Sequence, residues 1–137
     1  MQLRKAVHTK NILVPCGKDS VDLKALYHAF ALAKRIGGKV FIIFFKNENS
    51  AMKNSAQPEA ACREMVNSAR EEGVSVSFHY ARDRSQHELI EFIKAEQIDL
   101  LVMGTKDARM EAITRGIKPR VSVQIIKVEG KQDINFS

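Results

Sequence analysis

The chain has 137 residues, 45% of them hydrophobic and 28% charged, and this fits one globular domain with a single core. No apolar run approaches the roughly 20 residues that cross a bilayer, and residues 1–10 lack the apolar stretch of a secretory signal. We therefore predict a cytoplasmic protein that does not insert into membranes. The net charge of +6 suits an anionic partner. No Lys/Arg block alternates with aromatic residues, so we predict no specific nucleic-acid binding.

The two cysteines, Cys16 and Cys62, are not part of a CxxC pair, and the four histidines have no metal-ligand spacing. We therefore predict no metal site. Cys16 ends an apolar run and Cys62 lies on an apolar helical stripe, a pattern typical of buried thiols. No catalytic triad or carboxylate pair is visible, so we assign no catalytic residue. The polar candidates lie scattered along the chain: His79, Asp83, His87 and Asp99.

The first strand is predicted over residues 11–16, a short run rich in branched apolar side chains. A helix follows over residues 21–36, where the apolar side chains recur on one face. Asp19 or Ser20 is predicted to cap the start of this helix, and Gly37 to end it.

Six consecutive apolar residues predict a second strand over 39–45, buried on both faces of the sheet. The polar residues 47–58 have no periodicity, and we predict a mobile loop there. A second helix is predicted over residues 59–72. In the third strand, over 74–80, polar and apolar side chains alternate, which indicates a position nearer to an edge of the sheet.

A third helix is predicted over residues 85–96, with Ser85 and Glu88 forming a capping box. The buried run over residues 98–104 predicts a fourth strand that stops at a glycine.

A shorter helix over residues 108–115 is predicted to end at Gly116, and a fifth strand is predicted over 121–128. The segment between the last two strands is basic, and we expect it to begin at the ligand face of the sheet. Its cations are Lys106, Arg109, Arg115, Lys118 and Arg120, against Asp107 and Glu111.

Strands and helices alternate throughout, which predicts an open parallel sheet with helices on both faces. We expect a single domain over residues 1–137, in which residues 1–10 form an N-terminal extension. In such Rossmann-like folds, ligands bind beyond the carboxyl ends of the strands, where the winding direction reverses. The candidate nucleotide- or anion-binding residues therefore come from the strand ends: Pro15, Cys16, Gly17, Lys18, Phe45, Met103, Gly104, Thr105 and Lys106.

Residues 11–45, followed by ELIEFIKAEQIDLLVMGT over 88–105, resemble the universal stress protein (UspA-like) family. The match covers more than half of the chain, and DLLVMGT is its most specific part. The resemblance implies a three-layer α/β fold of the adenine nucleotide alpha hydrolase-like type, with a five-stranded parallel sheet in the order 3-2-1-4-5. It also implies a dimer through the last strand. Some members of the family bind ATP and some do not.

The ATP-binding members resemble one another in a pattern after the fourth strand, G-x2-G-x9-G-[S/T], whose glycines let backbone N–H groups approach the phosphates. Here Gly104 matches the first position, but Asp107 and Ile117 hold the second and third. Gly17 stands where these members place an aspartate that meets the adenine. The resemblance therefore implies weak or absent ATP binding, with ATP or another adenine nucleotide as the one cofactor that the pattern suggests.

The stretch PCGKDS, residues 15–20, is also similar to the SGGxDS loop of PP-loop ATP pyrophosphatases, which adenylate their substrates. Its glycine, aspartate and serine match that loop, whereas Pro15 and Cys16 replace a serine and a glycine. The competing structural interpretation is a plain strand-to-helix turn with Gly17 at the bend.

The stress-protein resemblance accounts for more of the chain, so we predict a non-catalytic regulatory module of the stress response that acts on an unidentified protein. We expect a homodimer through the strand over 121–128, since its valines and isoleucines leave an apolar edge open to pairing. Two alternatives stay open: a PP-loop-like ATP-using enzyme, and the soluble regulatory domain of a transporter.

Overall fold

The computed structural model describes residues 10–16, 22–45, 56–81, 86–105 and 108–128, in which strands and helices alternate. The strands are β1 (Asn11–Cys16), β2 (Lys39–Phe45), β3 (Ser75–Ala81), β4 (Leu100–Gly104) and β5 (Gln124–Val128). The helices are α1 (Leu23–Ile36), α2 (Ala56–Glu71), α3 (Gln86–Ala95) and α4 (Ala108–Ile117), and a short 3-10 helix, Lys118–Arg120, follows α4.

The strands form one parallel sheet in the order β3-β2-β1-β4-β5. This confirms the predicted fold class and the strand order that the resemblance implied. The observed bounds of β1 and β2 agree with the predicted ones. β3 lies at an edge of the sheet, as its alternating pattern indicated, and β5 forms the other edge.

Buried side chains form two hydrophobic clusters, one on each face of the sheet. α1 and α2 cover the first face through residues such as Leu26 and Val66. α3 and α4 cover the second face through residues such as Leu89 and Ile117. The result is three layers, helix–sheet–helix. Within the described part of the chain, none of the helices is both long and apolar enough to span a bilayer.

The N-cap of α1 is Asp22, so the prediction of Asp19 or Ser20 was wrong. Asp22 has an extended backbone, with φ −84° and ψ 98°. Its Oδ1 atom accepts hydrogen bonds from the backbone N–H groups of Lys24 (3.1 Å) and Ala25 (3.2 Å). Two of the otherwise unpaired N–H groups at the start of the helix are thereby satisfied.

The ends of two helices show where glycine acts as predicted and where it does not. Gly37 ends α1 in the left-handed conformation, with φ 72°, and its N–H donates to the carbonyl of Ala33. Gly116, by contrast, lies inside α4, which continues to Ile117. A Cβ atom at Gly116 would overlap the side-chain amide of Gln86, so this glycine permits a close contact between α3 and α4.

Two further boundaries differ from the prediction by three residues, and the other differences are of one or two residues. α2 begins at Ala56, inside the predicted loop over 47–58, and residues 47–55 lie outside the described part of the chain. β5 begins at Gln124 instead of residue 121, because it pairs with β4 and β4 itself begins at Leu100. The length of an edge strand is thus set by its only neighbour in the sheet.

The amino edge of the sheet is held by a small hydrogen-bond network. The backbone N–H of Asn11 donates to the carboxylate of Asp99 (2.8 Å), and the Asn11 side-chain amide donates to the carbonyl of Glu96 (2.9 Å). The N–H of Gln124 donates to the Asp99 carbonyl (3.1 Å). These bonds join the starts of β1, β4 and β5, which gives Asp99 a structural role.

Candidate functional site

The winding direction of the sheet reverses between β1 and β4, the place where ligands bind in folds of this kind. The ladder between these strands consists of the pairs Ile12–Leu100 and Leu13–Leu101, whereas β1 and β2 pair along their full length. Pro15 has no backbone N–H to contribute. The pairing of β1 with β4 thus ends before their carboxyl ends. We call the place just beyond these two strand ends the crevice.

The carboxylate of Asp22 lies in this crevice. While Oδ1 caps α1, Oδ2 lies against the Cα atom of Gly104, at the end of β4. A Cβ atom at position 104 would overlap this oxygen. A glycine is therefore needed at position 104 because the Asp22 side chain lies so close to the backbone there. The Asp22 carboxylate thus places a negative charge in the crevice, at the switch point of the sheet.

The Cys16 thiol, at the end of β1, is near enough to this carboxylate to be influenced by its charge. Burial raises the pKa of Cys16 well above its usual range, and the neighbouring Cys62 and Asp22 raise it further. Both cysteines are buried, as predicted. A thiol with a raised pKa stays protonated at neutral pH and is a poor nucleophile. Cys16 is therefore a core residue and not a reactive group.

The predicted binding residues fall into different places. Phe45 and Met103 are core side chains, 0% and 1% exposed, and are not available to contact a ligand. Pro15 is a buried residue of β1. Gly104 and the half-buried Thr105 do lie at the carboxyl edge, beside Asp22. The rest of the set lies outside the described residues: Gly17, Lys18 and Lys106.

The basic segment after β4 leads away from the crevice. α4 and the 3-10 helix connect the carboxyl end of β4 with the start of β5, so they cross from one edge of the sheet to the other. The exposed cations Arg115, Lys118 and Arg120 lie toward the amino edge. These three cannot contribute to a phosphate site at the switch point. Lys106, Asp107 and the side chain of Arg109 lie outside the described residues.

One acidic residue of the same segment forms an ion pair with the edge strand. The Glu111 carboxylate accepts a hydrogen bond from Lys127 Nζ at 2.9 Å, which joins α4 to β5. This bond and the positive charge of Lys127 lower the pKa of Glu111. Glu111 is thus paired with Lys127 of the edge strand β5.

The polar candidates that the structure describes occupy different parts of the fold. His79 packs in an aromatic group on β3, with its ring 5.8 Å from that of Phe41 and 4.9 Å from that of Phe92. Its Nε2 atom lies 3.0 Å from the Ser77 hydroxyl. His87 is exposed on α3, and Asp99 lies at the amino edge. Asp83 lies outside the described residues.

Asp22 is the site residue that the sequence analysis missed. The local signal existed, because Asp19, Ser20 and Asp22 all precede the first apolar turn of the helix and all suit an N-cap. The contact of Asp22 with Gly104 joins positions far apart in the chain, and no local pattern indicates it.

Comparison with known proteins gives one family and one fold. The model of the universal stress protein family matches residues 8–128. No curated protein sequence matches the chain significantly. Among solved structures, the chain is similar to a universal stress protein from Archaeoglobus fulgidus, with a TM-score of 0.65 and 15% identity over 93% of this chain and 98% of the other.

Two other similar structures contain nucleotides. One is the universal stress protein from Archaeoglobus fulgidus in complex with dAMP, with a TM-score of 0.61, 15% identity, and coverage of 88% of this chain and 98% of the other. The second is a universal stress protein in complex with cAMP, with a TM-score of 0.57, 20% identity and the same coverage. At these identities the similarity shows the fold alone.

Proposed function

Because the chain belongs to the universal stress protein family, we propose that it is a non-catalytic regulatory module of the stress response that acts as a homodimer and binds ATP weakly or not at all. The observation that carries the proposal is the Asp22 carboxylate in the crevice between β1 and β4. This carboxylate is held by two backbone N–H groups of α1, so it is a fixed part of the site.

A phosphate chain at the switch point meets this charge directly. At a contact distance of about 4 Å, two like unit charges repel by about 1 to 4 kcal/mol, depending on how much water surrounds them. A triphosphate carries more negative charge than a monophosphate or a cyclic phosphate, so it suffers the larger repulsion. If the crevice holds an adenine nucleotide, a monophosphate or cyclic monophosphate binds more tightly than ATP. The complexes of similar proteins with dAMP and cAMP support an adenine nucleotide as the candidate ligand.

The enzyme alternative receives less support. In an SGGxDS loop the first two positions belong to the phosphate-binding turn, but here Pro15 and Cys16 are buried and pair with β2 as part of β1. The Cys16 thiol at the end of β1 is buried and protonated, and His79 packs among the aromatic rings of Phe41 and Phe92. The proposal therefore assigns no reaction to this chain.

Incubation with ATP and Mg²⁺ tests this part of the proposal. Chromatography of the nucleotides should give no more AMP, ADP or pyrophosphate than a protein-free control. In a parallel equilibrium-binding series, AMP and cAMP should bind at least as tightly as ATP. Turnover to AMP and pyrophosphate would support the PP-loop alternative, and tighter binding of ATP than of AMP would contradict the role given to Asp22.

A further inference from the structure

A second candidate binding site lies in the helix layer that covers the first face of the sheet. α1 and α2 are separated by a groove of about 640 Å³, within the range of volumes typical of small-molecule sites. Its floor is formed by buried side chains such as Phe30 and Ala69. The other principal lining residues are Tyr27, Lys34, Arg35, Met65 and Glu72.

The groove is apolar at one end and ionic at the other. Tyr27 lies about two turns before Lys34 and Arg35 on α1, and Met65 lies about two turns before Glu72, which directly follows α2. α1 and α2 both lead from the carboxyl edge of the sheet to its amino edge, so the ionic end lies at the amino edge. The groove is therefore distinct from the crevice between β1 and β4.

The apolar end is unusually exposed. Tyr27 is 68% exposed and Leu23, one turn earlier on α1, is 41% exposed. These are two of the four large hydrophobic side chains that the described part of the chain exposes. Exposed apolar surface that continues into a groove marks a binding surface more often than a lone exposed side chain does.

The ionic end carries an excess of positive charge. Lys34 Nζ lies 2.9 Å from the Glu72 carboxylate across the groove, but both side chains are at least half exposed. Such exposed pairs are weak and exchange partners easily. Arg35 adds a second cation, and no ion pair of Arg35 occurs within the described residues. Lys34 and Arg35 lie in the last turn of α1, where the negative end of the helix dipole favours positive charge even without a ligand.

We propose that this groove binds a small amphipathic anion, a molecule with a linear apolar body and one carboxylate. The apolar body lies along Phe30, Tyr27 and Met65. The carboxylate lies between Arg35 and Lys34. Lys34 then forms its ion pair with the ligand instead of with Glu72. From Tyr27 to Arg35 the groove follows eight residues of helix, about 12 Å. This length suits a medium-chain fatty acid. The proposal does not depend on the regulatory role or on nucleotide binding.

Decanoate is the probe, and its binding is measured by displacement of the fluorescent dye 1-anilinonaphthalene-8-sulfonate below the micelle concentration. The wild-type protein should bind decanoate saturably, with one site per chain. Decanol and decyltrimethylammonium, which keep the tail and change the head group, should bind more weakly. Absence of saturable decanoate binding, equal affinity for the three compounds, or binding only to anionic lipid vesicles would overturn the proposal.

Matched variants locate the site. Arg35→Gln should weaken decanoate binding about two- to fivefold, the effect of one exposed charge pair, whereas Arg115→Gln, in the last turn of α4, should have no effect. Glu72→Gln should strengthen binding by a similar factor, since it frees Lys34.

A larger side chain in the groove tests the position of the apolar body. Ala31→Phe should block the groove, whereas Ala112→Phe places the same side chain on the exposed surface of α4. Binding that is the same in Arg35→Gln, Glu72→Gln and wild type would contradict the assignment.

Discussion

At the scale of single residues, Asp22 has two functions that depend on its two carboxylate oxygens. One oxygen caps α1 and the other lies against Gly104, so the same side chain orders a helix and places a negative charge in the crevice. Gly104 and Asp22 are coupled, because a larger side chain at position 104 has to displace the Asp22 carboxylate. This pairing leads to a stability prediction that is independent of any ligand.

Gly104→Ala should lower the free energy of unfolding by about 1 kcal/mol, the usual effect of losing an N-cap. The added methyl group displaces the Asp22 carboxylate from the N–H groups of Lys24 and Ala25. Urea unfolding measures the change. In an Asp22→Ala background, where the cap is already absent, the same substitution should have a much smaller effect. Equal effects in the two backgrounds would contradict the coupling between the two residues.

The two buried thiols allow a second prediction at this scale. Cys16 and Cys62 are both buried, and the raised pKa of Cys16 disfavours the thiolate that reacts with disulfide reagents. In the native protein, 5,5′-dithiobis(2-nitrobenzoate) should therefore modify these cysteines only as fast as the fold opens. In denaturant both should react at once. Fast modification of either cysteine at neutral pH without unfolding would contradict their burial.

At the scale of elements, β1 and β2 were predicted correctly because each is an unbroken run of mostly apolar residues. The first and last residues of such a run mark the ends of the strand. The errors have a common physical origin in contacts with distant parts of the chain. β5 starts where β4 gives it a partner, and Gly116 stays helical beside Gln86. The cap of α1 was missed because three neighbouring residues suit that role and only packing against β4 distinguishes them.

The edges of the sheet indicate where the proposed dimer forms. At the β3 edge, the Arg70 guanidinium donates a hydrogen bond to the Val76 carbonyl at 2.8 Å, and both Arg63 and Arg70 lie over the Phe78 ring. Side-chain coverage of this kind makes edge pairing less favourable. β5 exposes half-buried isoleucines with a high preference for strands. We therefore expect β5 to be the edge that pairs with a second copy.

Ile126→Glu should shift the protein from dimer to monomer, because a charge at the paired edge has to be desolvated for the strands to meet. Phe78→Glu is the matched control, since Phe78 on the β3 edge is partly buried against the same core cluster as Ile126. Sedimentation velocity at micromolar concentration separates the two states. A wild-type protein that sediments as a monomer, or equal loss of dimer in both variants, would rule out an interface through β5.

At the scale of the whole molecule, the alternation of strands and helices was enough to predict the sheet and its two helix layers. The carboxyl edge of the sheet stays the predicted place for a ligand. The chemistry of that edge was harder to predict. Phe45 and Met103 end strands as expected, but their side chains point into the core, and the cations Arg115, Lys118 and Arg120 lie at the far edge. The position of a residue at a strand end could be predicted from the sequence, whereas the direction of its side chain and its long-range contacts could not.

Calorimetric titration of ATP with Mg²⁺ into the wild-type protein and into Asp22→Asn tests the central claim most directly. Asparagine keeps the shape of the cap and its preference for the N-cap position but removes the charge. We predict a dissociation constant weaker than about 100 μM for the wild type, and about tenfold tighter binding in the variant, which corresponds to the lower part of the repulsion between like charges at contact. Low-micromolar binding by the wild-type protein, or the same affinity in both proteins, would contradict the account.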